Sequence, residues 1–148
     1  MLSQAKHIIL AEDDEDDSIF FEDALNSLPD PPNLIRAKDG VELTNLLEDH
    51  TPLPDMVFLD LNMPRKNGAQ CLVEIREKKD LQHLPVIVLS TNSSRDIIDA
   101  MYRFGANLYI QKPSDIRMWK RAIMKVLEMD WNIHTPFSVK ENFTLTEF

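Results

Sequence analysis

Met56-Val57-Phe58-Leu59-Asp60-Leu61-Asn62-Met63-Pro64 reads as a strand that ends in a carboxylate: four apolar residues run into Asp60, and a polar loop with a proline follows. A side chain at that point is expected to be presented to a ligand and not buried. Three other apolar runs end in reactive groups. Ile8-Ile9-Leu10-Ala11 leads into Glu12 and Asp13, Val86-Ile87-Val88-Leu89 into Ser90, and Leu108-Tyr109-Ile110-Gln111 into Lys112-Pro113. In open α/β sheets ligands bind beyond the carboxyl ends of parallel strands, so these four ends are expected to converge on one chemical centre.

Around these runs the chain alternates short apolar stretches with amphipathic ones, the pattern of βαβ units about a parallel sheet. Leu34 to Ala37 supplies a fifth strand. Phe21, Ala24, Leu25 and Leu28 recur at helical spacing, and so do Leu43, Leu46 and Leu47. Leu72 with Ile75, then Ile98, Met101 and Tyr102, then Ile116, Trp119, Ile123, Val126 and Leu127 mark three further helices. The three glycines punctuate this order: Gly40 before the second helix, Gly68 before the third and Gly105 after the fourth. None belongs to a glycine-rich phosphate loop. Ser27 to Asn33 and His50 to Asp55 read as helix-to-strand loops, and after Trp131 the periodicity fades, with Thr135-Pro136 stopping any helix. Residues 1–130 are therefore expected to form one domain and 131–148 a tail. Trp131, Phe137, Phe143 and Phe148 make that tail aromatic, unlike most disordered tails, which suggests that it folds onto its own domain or onto a partner, as a dimer or docking element.

Composition narrows the function. At 148 residues and 43% hydrophobic, the chain suits one compact domain. Its formal net charge of -9 disfavours nucleic acid and anionic membrane surfaces as partners. The single Cys71 cannot close an intrachain disulfide and is most simply a small core residue. Nothing resembles a signal peptide, and no stretch approaches the roughly 20 apolar residues of a bilayer span, so a cytoplasmic location is expected.

Glu12, Asp13 and Asp60 would bring three carboxylates together, a crowding relieved by a cation or by bound protons. An all-oxygen site of this kind suits Mg²⁺, which takes one or two carboxylates, keeps several waters and shares itself with a phosphate. His7, His50, His83 and His134 are too scattered to bind zinc. With Ser90 and Lys112 added, the set suits phosphoryl transfer: Asp60 as nucleophile, metal and Lys112 neutralising phosphoryl oxygens, Ser90 donating a hydrogen bond. The product, an acyl phosphate, hydrolyses readily and suits a transient signal.

Glu12-Asp13 after a first strand, Asp60-Leu61-Asn62-Met63-Pro64 with Gly68, Ser90-Thr91 and Lys112-Pro113 fall in the order and approximate spacing of a bacterial response-regulator receiver domain. Over roughly residues 6–130 the chain resembles that family, and in particular its small stand-alone, CheY-like members, including those encoded beside phytochrome-type kinases. The resemblance implies a flavodoxin-like (βα)5 three-layer sandwich with sheet order 2-1-3-4-5. It implies phosphorylation of Asp60 by a histidine kinase or a histidine phosphotransfer protein. Mg²⁺ would be held by the side chains of Asp13 and Asp60 and the backbone carbonyl of Asn62, with Glu12 acting mostly through water. Ser90 and Tyr109 would form a switch that remodels the surface of the fourth helix, fifth strand and fifth helix, and the Lys112-Pro113 peptide would be cis. Ser90 stands where Thr is commoner in the family, and Glu12 where Asp is. Asn62 and Asn92 occupy positions that tune dephosphorylation there.

Simpler roles compete at each position. Glu15, Asp16 and Asp17 read as an acidic helix start favoured by the helix dipole, Glu12 and Asp13 as site residues, and Asp14 is open between the two. Tyr109 is open between switch and ordinary strand packing. For the whole chain the rivals are a haloacid-dehalogenase-like phosphatase, which wants a second acid where Asn62 stands, and a pseudo-receiver scaffold that is never phosphorylated. A phosphorelay shuttle and a terminal effector are not separated by the sequence.

Overall fold

The computed structural model describes residues 7–49, 53–129, 131 and 143–145. Lys6, His50, His134, Thr135, Pro136, Phe137 and Phe148, on which some of the expectations above fall, lie outside that set. The described elements run β1 (His7–Ala11), α1 (Glu15–Asn26), β2 (Asn33–Ala37), α2 (Gly40–Asp49), β3 (Met56–Asp60), α3 (Gly68–Glu77), β4 (Val86–Ser90), α4 (Arg95–Arg103), β5 (Leu108–Gln111), α5 (Ile116–Glu128) and β6 (Thr144–Leu145). All neighbouring strands pair parallel, in the order β2-β1-β3-β4-β5-β6. The flavodoxin-like order 2-1-3-4-5 is thus present, and β6 extends it by one short edge strand.

Continuous apolar runs make β3 and β4 because both faces of each are covered, and every residue of both strands is buried. Alternate side chains feed two cores. On one face Ile9, Val57, Val88 and Tyr109 meet Leu43 and Leu47 of α2, Leu72 and Ile75 of α3 and Met101 of α4. On the other, Leu10, Phe58, Ile87 and Leu108 meet Phe21 and Leu25 of α1 and Trp119, Ile123 and Val126 of α5. The Phe21 ring stands edge-on to Phe58 at 4.8 Å and to Trp119 at 5.9 Å, an arrangement favoured by the aromatic quadrupoles. Helices on both faces of the sheet give the three-layer sandwich.

Ile116 departs from its expected core place. As the first residue of α5 it precedes the stretch that meets α1, and it is 40% exposed. Within the tail expected to fold onto its own domain or a partner, the described residues 143–145 pack on this domain. Phe143 is buried, packs edge-on against Tyr102 at 5.2 Å, and its carbonyl accepts the backbone N–H of Tyr109 at 2.8 Å. Two-residue β6 carries no periodic pattern, which is why the sequence does not announce it. Trp131 is tied back to α5 by its indole N–H, which donates to the Val126 carbonyl at 2.9 Å.

Two local devices hold the carboxyl ends of the strands in place. A Cβ on Gly68 would collide with the carbonyl oxygen of Asp60 and lie 2.8 Å from Cα of Leu61, so only glycine lets α3 begin against the end of β3. Beside it Asn67 caps α3, its side chain accepting from the Gln70 N–H while the Gln70 side chain accepts from the Asn67 N–H, both at 2.9 Å. At the opposite end of the sheet Arg76 donates to the carbonyl of Gly105, the carbonyl of Leu81 and Oδ1 of Asn107, each at 2.9 Å. Burial pulls its guanidinium down to about 10, a mark of how far from water that anchor lies.

Candidate functional site

The β1–α1 turn places the acidic residues. Glu12 follows β1 directly with its N–H on the Ala37 carbonyl at 2.9 Å, and its own carbonyl accepts from Nε of Arg36 at 3.0 Å. Arg36 also pairs with Glu15 at 2.9 Å, so β2 fixes the turn from the side. Asp14, open on sequence grounds, is the N-cap of α1: its side chain accepts the Asp17 N–H at 2.9 Å. Glu12 is buried and Asp13 exposed.

Oxygens of Glu12, Asp13 and Asp60 all lie within 4.8 Å of one another. Asp60 is 3% exposed, which corrects the expectation of a presented carboxylate. Its burial follows from its neighbours: Lys112 from the end of β5 brings Nζ to 3.4 Å from Asp60 Oδ1 and to 2.8 Å from Glu12 Oε1. The same ammonium hydrogen-bonds Asp17 Oδ2 at 2.8 Å. Asp17 is thereby a site residue that the sequence reading left among the solvated helix-start acids. The contact joins residues 95 apart in the chain, and no local pattern signals it. Its one sequence clue is position, one helical turn inside the acidic run.

Ser90 is buried at the end of β4, its Oγ accepting the Asn92 N–H at 3.0 Å. The Asn92 carbonyl in turn accepts the Tyr109 hydroxyl. Tyr109 is fully buried, and burial raises its phenol above the usual value. Asn62 is exposed in the β3–α3 loop. Cys71 sits in the core, and burial pushes its thiol up to about 11, out of the range of a reactive thiolate.

Electrostatics show the strain of the carboxylate cluster. Burial, then a hydrogen bond shared with Asp60, pushes Glu12 up to about 8 despite the adjacent ammonium. Asp13 is raised too, by desolvation and by the charge of Asp60. For Lys112, burial opposes the charge, but the hydrogen bond to Asp17 and the neighbouring carboxylates more than offset it and hold the ammonium above its ordinary value. Glu12 Oε1 is buried, and although it ion-pairs with Lys112 it has no aligned hydrogen-bond partner among the described residues. An orphaned buried oxygen in an all-oxygen donor set formed by Glu12, Asp13 and Asp60 fits a hard divalent cation.

A pH dependence follows. A carboxyl whose folded value is raised stabilises the fold below its unfolded value of about 4.3, and that contribution is lost as pH rises through about 8. In EDTA the unfolding free energy from urea denaturation is expected to fall between pH 5 and pH 8, by at most about 1.4 kcal/mol per pH unit, with the midpoint falling in step. Mg²⁺ is expected to reverse the loss and to bind more tightly as pH rises, since the proton on Glu12 must leave. A midpoint flat across that range in EDTA would contradict the crowding.

The chain belongs to the response-regulator receiver family: the family model described as "Response regulator receiver domain" matches residues 8–124. Among curated proteins it is similar to Response regulator Rcp1 of Synechocystis sp., 32% identical over 117 residues, covering 76% of this chain and 80% of Rcp1. Among solved structures, the Mn²⁺-bound form of response regulator Rcp1 superposes with a TM-score of 0.78 at 30% identity, covering 84% of this chain and 96% of that one. The phosphorylated cyanobacterial phytochrome response regulator RcpA superposes at 0.76 and 31% identity, covering 82% and 91%. No described helix is long and apolar enough to cross a membrane.

Proposed function

We propose that this protein is a receiver that accepts a phosphoryl group on Asp60, with Mg²⁺, from a histidine kinase or a histidine phosphotransfer protein, and signals by changing its protein-binding surface. The observation that carries the reading is the cluster at the strand ends: three carboxylates within 4.8 Å and a buried ammonium against two of them. Such an all-oxygen set suits a hard cation and not a soft one. It also suits an in-line attack on phosphorus.

An oxygen of Asp60 attacks the phosphorus; the new O–P bond forms as the donor's bond to phosphorus breaks, and the leaving group departs with that electron pair. A divalent cation, when bound by Asp13, Asp60 and the Asn62 carbonyl, supplies charge neutralisation of the phosphoryl oxygens. Lys112 moves from its carboxylate partners to a phosphoryl oxygen, and the Ser90 hydroxyl donates to another. Drawing Ser90 inward would release its hold on the Asn92 N–H, and Asn92 is also the acceptor for the Tyr109 hydroxyl. That linkage supports Ser90 and Tyr109 as the switch pair, with output at α4, β5 and α5. Residues 1–130 would be the receiver and 131–148 an appended segment. The protein turns over only its own phosphoryl group, works in the cytoplasm and acts through protein contacts.

Intact mass after incubation with acetyl phosphate and Mg²⁺ tests the reading. One added phosphoryl group, absent with EDTA, is expected. A folded, Mg²⁺-bound protein that takes up none from acetyl phosphate or from any phosphorylated kinase would contradict it and favour the scaffold, and sustained release of phosphate from esters would favour a phosphatase.

A further inference from the structure

We propose that Asp17 is a positioning residue that holds the Lys112 ammonium away from Asp60 until a phosphoryl group draws it across. The inference rests on the phosphoacceptor reading above and adds a residue to it. Lys112 Nζ hydrogen-bonds Asp17 at 2.8 Å but stands 3.4 Å from Asp60. A charge-assisted bond of this kind lies near 2.8 Å when it is fully formed, so the pair with Asp60 is stretched and the pair with Asp17 is not. The Lys112 side chain is 9% exposed and that of Asp17 30%, so the contact is screened from water on the lysine side.

Asp17 is set in place by the start of α1. Its N–H is held by the Asp14 cap at 2.9 Å, and side chains in a first helical turn lean toward the N-terminus, here toward the strand ends. An ammonium has three donors and moves among acceptors at little cost. With Asp17 present, the ammonium rests between Asp17 and Glu12, and an oxygen of Asp60 stays available for the cation and for attack. Without it, Lys112 has Glu12 and Asp60 left and closes on Asp60, where it competes with the cation for the same oxygens. The phosphoryl group, more negative than the carboxylate it replaces, later outbids Asp17 for the lysine.

Asp17→Asn keeps the shape and removes the charge. In the metal-free crystal structure of this variant, Lys112 Nζ is expected to close from 3.4 Å to about 2.8 Å on Asp60. By calorimetry its Mg²⁺ affinity is expected to fall about five- to tenfold, the scale of one charge-assisted hydrogen bond. Asp16→Asn, the same charge change on an exposed neighbour, is expected to cost less than about twofold. Asp17→Glu restores most of the affinity, and in a Lys112→Met background the Asp17→Asn effect disappears, because the residue acts through the lysine. Should Asp17→Asn fail to fold, Asp17→Ser carries the same comparisons. Equal losses for Asp16→Asn and Asp17→Asn, or a loss that persists in Lys112→Met, would overturn the proposal. Mg²⁺ binding without phosphoryl uptake by the wild type would sink the phosphoacceptor reading alone, with the affinities still deciding on Asp17; no Mg²⁺ binding at all would sink both.

Discussion

Asp60→Asn is expected to take up no phosphoryl group from acetyl phosphate and, in EDTA at pH 7.5, to be more stable than the wild type. The first effect is the loss of the nucleophile: an amide oxygen of the same shape carries no charge with which to attack phosphorus. The second comes from the electrostatics of the metal-free site. Asp60 is 3% exposed and sits among other carboxylates, and its presence helps push Glu12 up to about 8 and raises Asp13. With the charge removed, Glu12 ionises more easily and shares Lys112 with Asp17 alone, each at 2.8 Å. The stretched contact from Lys112 to Asp60 at 3.4 Å is the smaller loss. A gain of about 1 kcal/mol in unfolding free energy, read as a raised urea midpoint, is expected, the equivalent of somewhat under one unit of relief at Glu12. Mg²⁺ affinity falls at the same time, since a direct ligand is gone. Intact mass, urea denaturation and calorimetry on the same preparation separate the effects. Uptake at the wild-type rate would place the acceptor elsewhere, and a lowered midpoint in EDTA would refute the account of carboxylate crowding.

What could be read from the sequence follows from the range of each interaction. β3 and β4 are legible because burial on both faces writes itself as an unbroken apolar run, and α1 and α5 because one buried face recurs at helical spacing. The convergence of Glu12, Asp13 and Asp60 is legible because parallel strands share a carboxyl end, so order along the chain becomes proximity in space. Asp17 is not legible, because an acid in a first helical turn has a sufficient local reason to be there, and its partner Lys112 is identified only by the folded geometry. The buried state of Asp60 was missed for a related reason. Exposure at a strand end depends on what the neighbouring loops lay over it, and here that is a lysine stem from β5. Ile116 shows the converse error: spacing counts it with the apolar face of α5, but it opens that helix ahead of Trp119, the first of its buried residues, and stays 40% exposed.

Phe143→Ala is expected to destabilise the protein by about 3 to 5 kcal/mol and to expose the Tyr109 amide to exchange in the same step. Phe143 is 1% exposed and fills the space between Tyr102, at 5.2 Å, and Tyr109, at 6.3 Å, on the α4 side of the sheet. Its removal leaves a cavity walled by two aromatic rings, which the rigid β5 cannot close. The backbone makes the second readout specific. The Tyr109 N–H donates to the Phe143 carbonyl at 2.8 Å, and β6 pairs Thr144 with Tyr109 and Leu145 with Ile110. A two-residue strand held by so few bonds depends on the buried ring for its seat, so loss of the ring should release the strand. If the segment opens by itself before the domain unfolds, the stability loss reaches only what that segment contributes and falls below the range above, while exchange at Tyr109 still rises by orders of magnitude. Hydrogen exchange and urea denaturation together therefore distinguish a segment that unfolds with the domain from one that opens first. An unchanged midpoint with Tyr109 still protected would mean that the ring contributes no stability where it sits. Because the Tyr109 hydroxyl donates to the Asn92 carbonyl beside Ser90, release of β6 should also alter the rate of phosphoryl uptake at Asp60, linking that short edge strand to the chemistry at the strand ends.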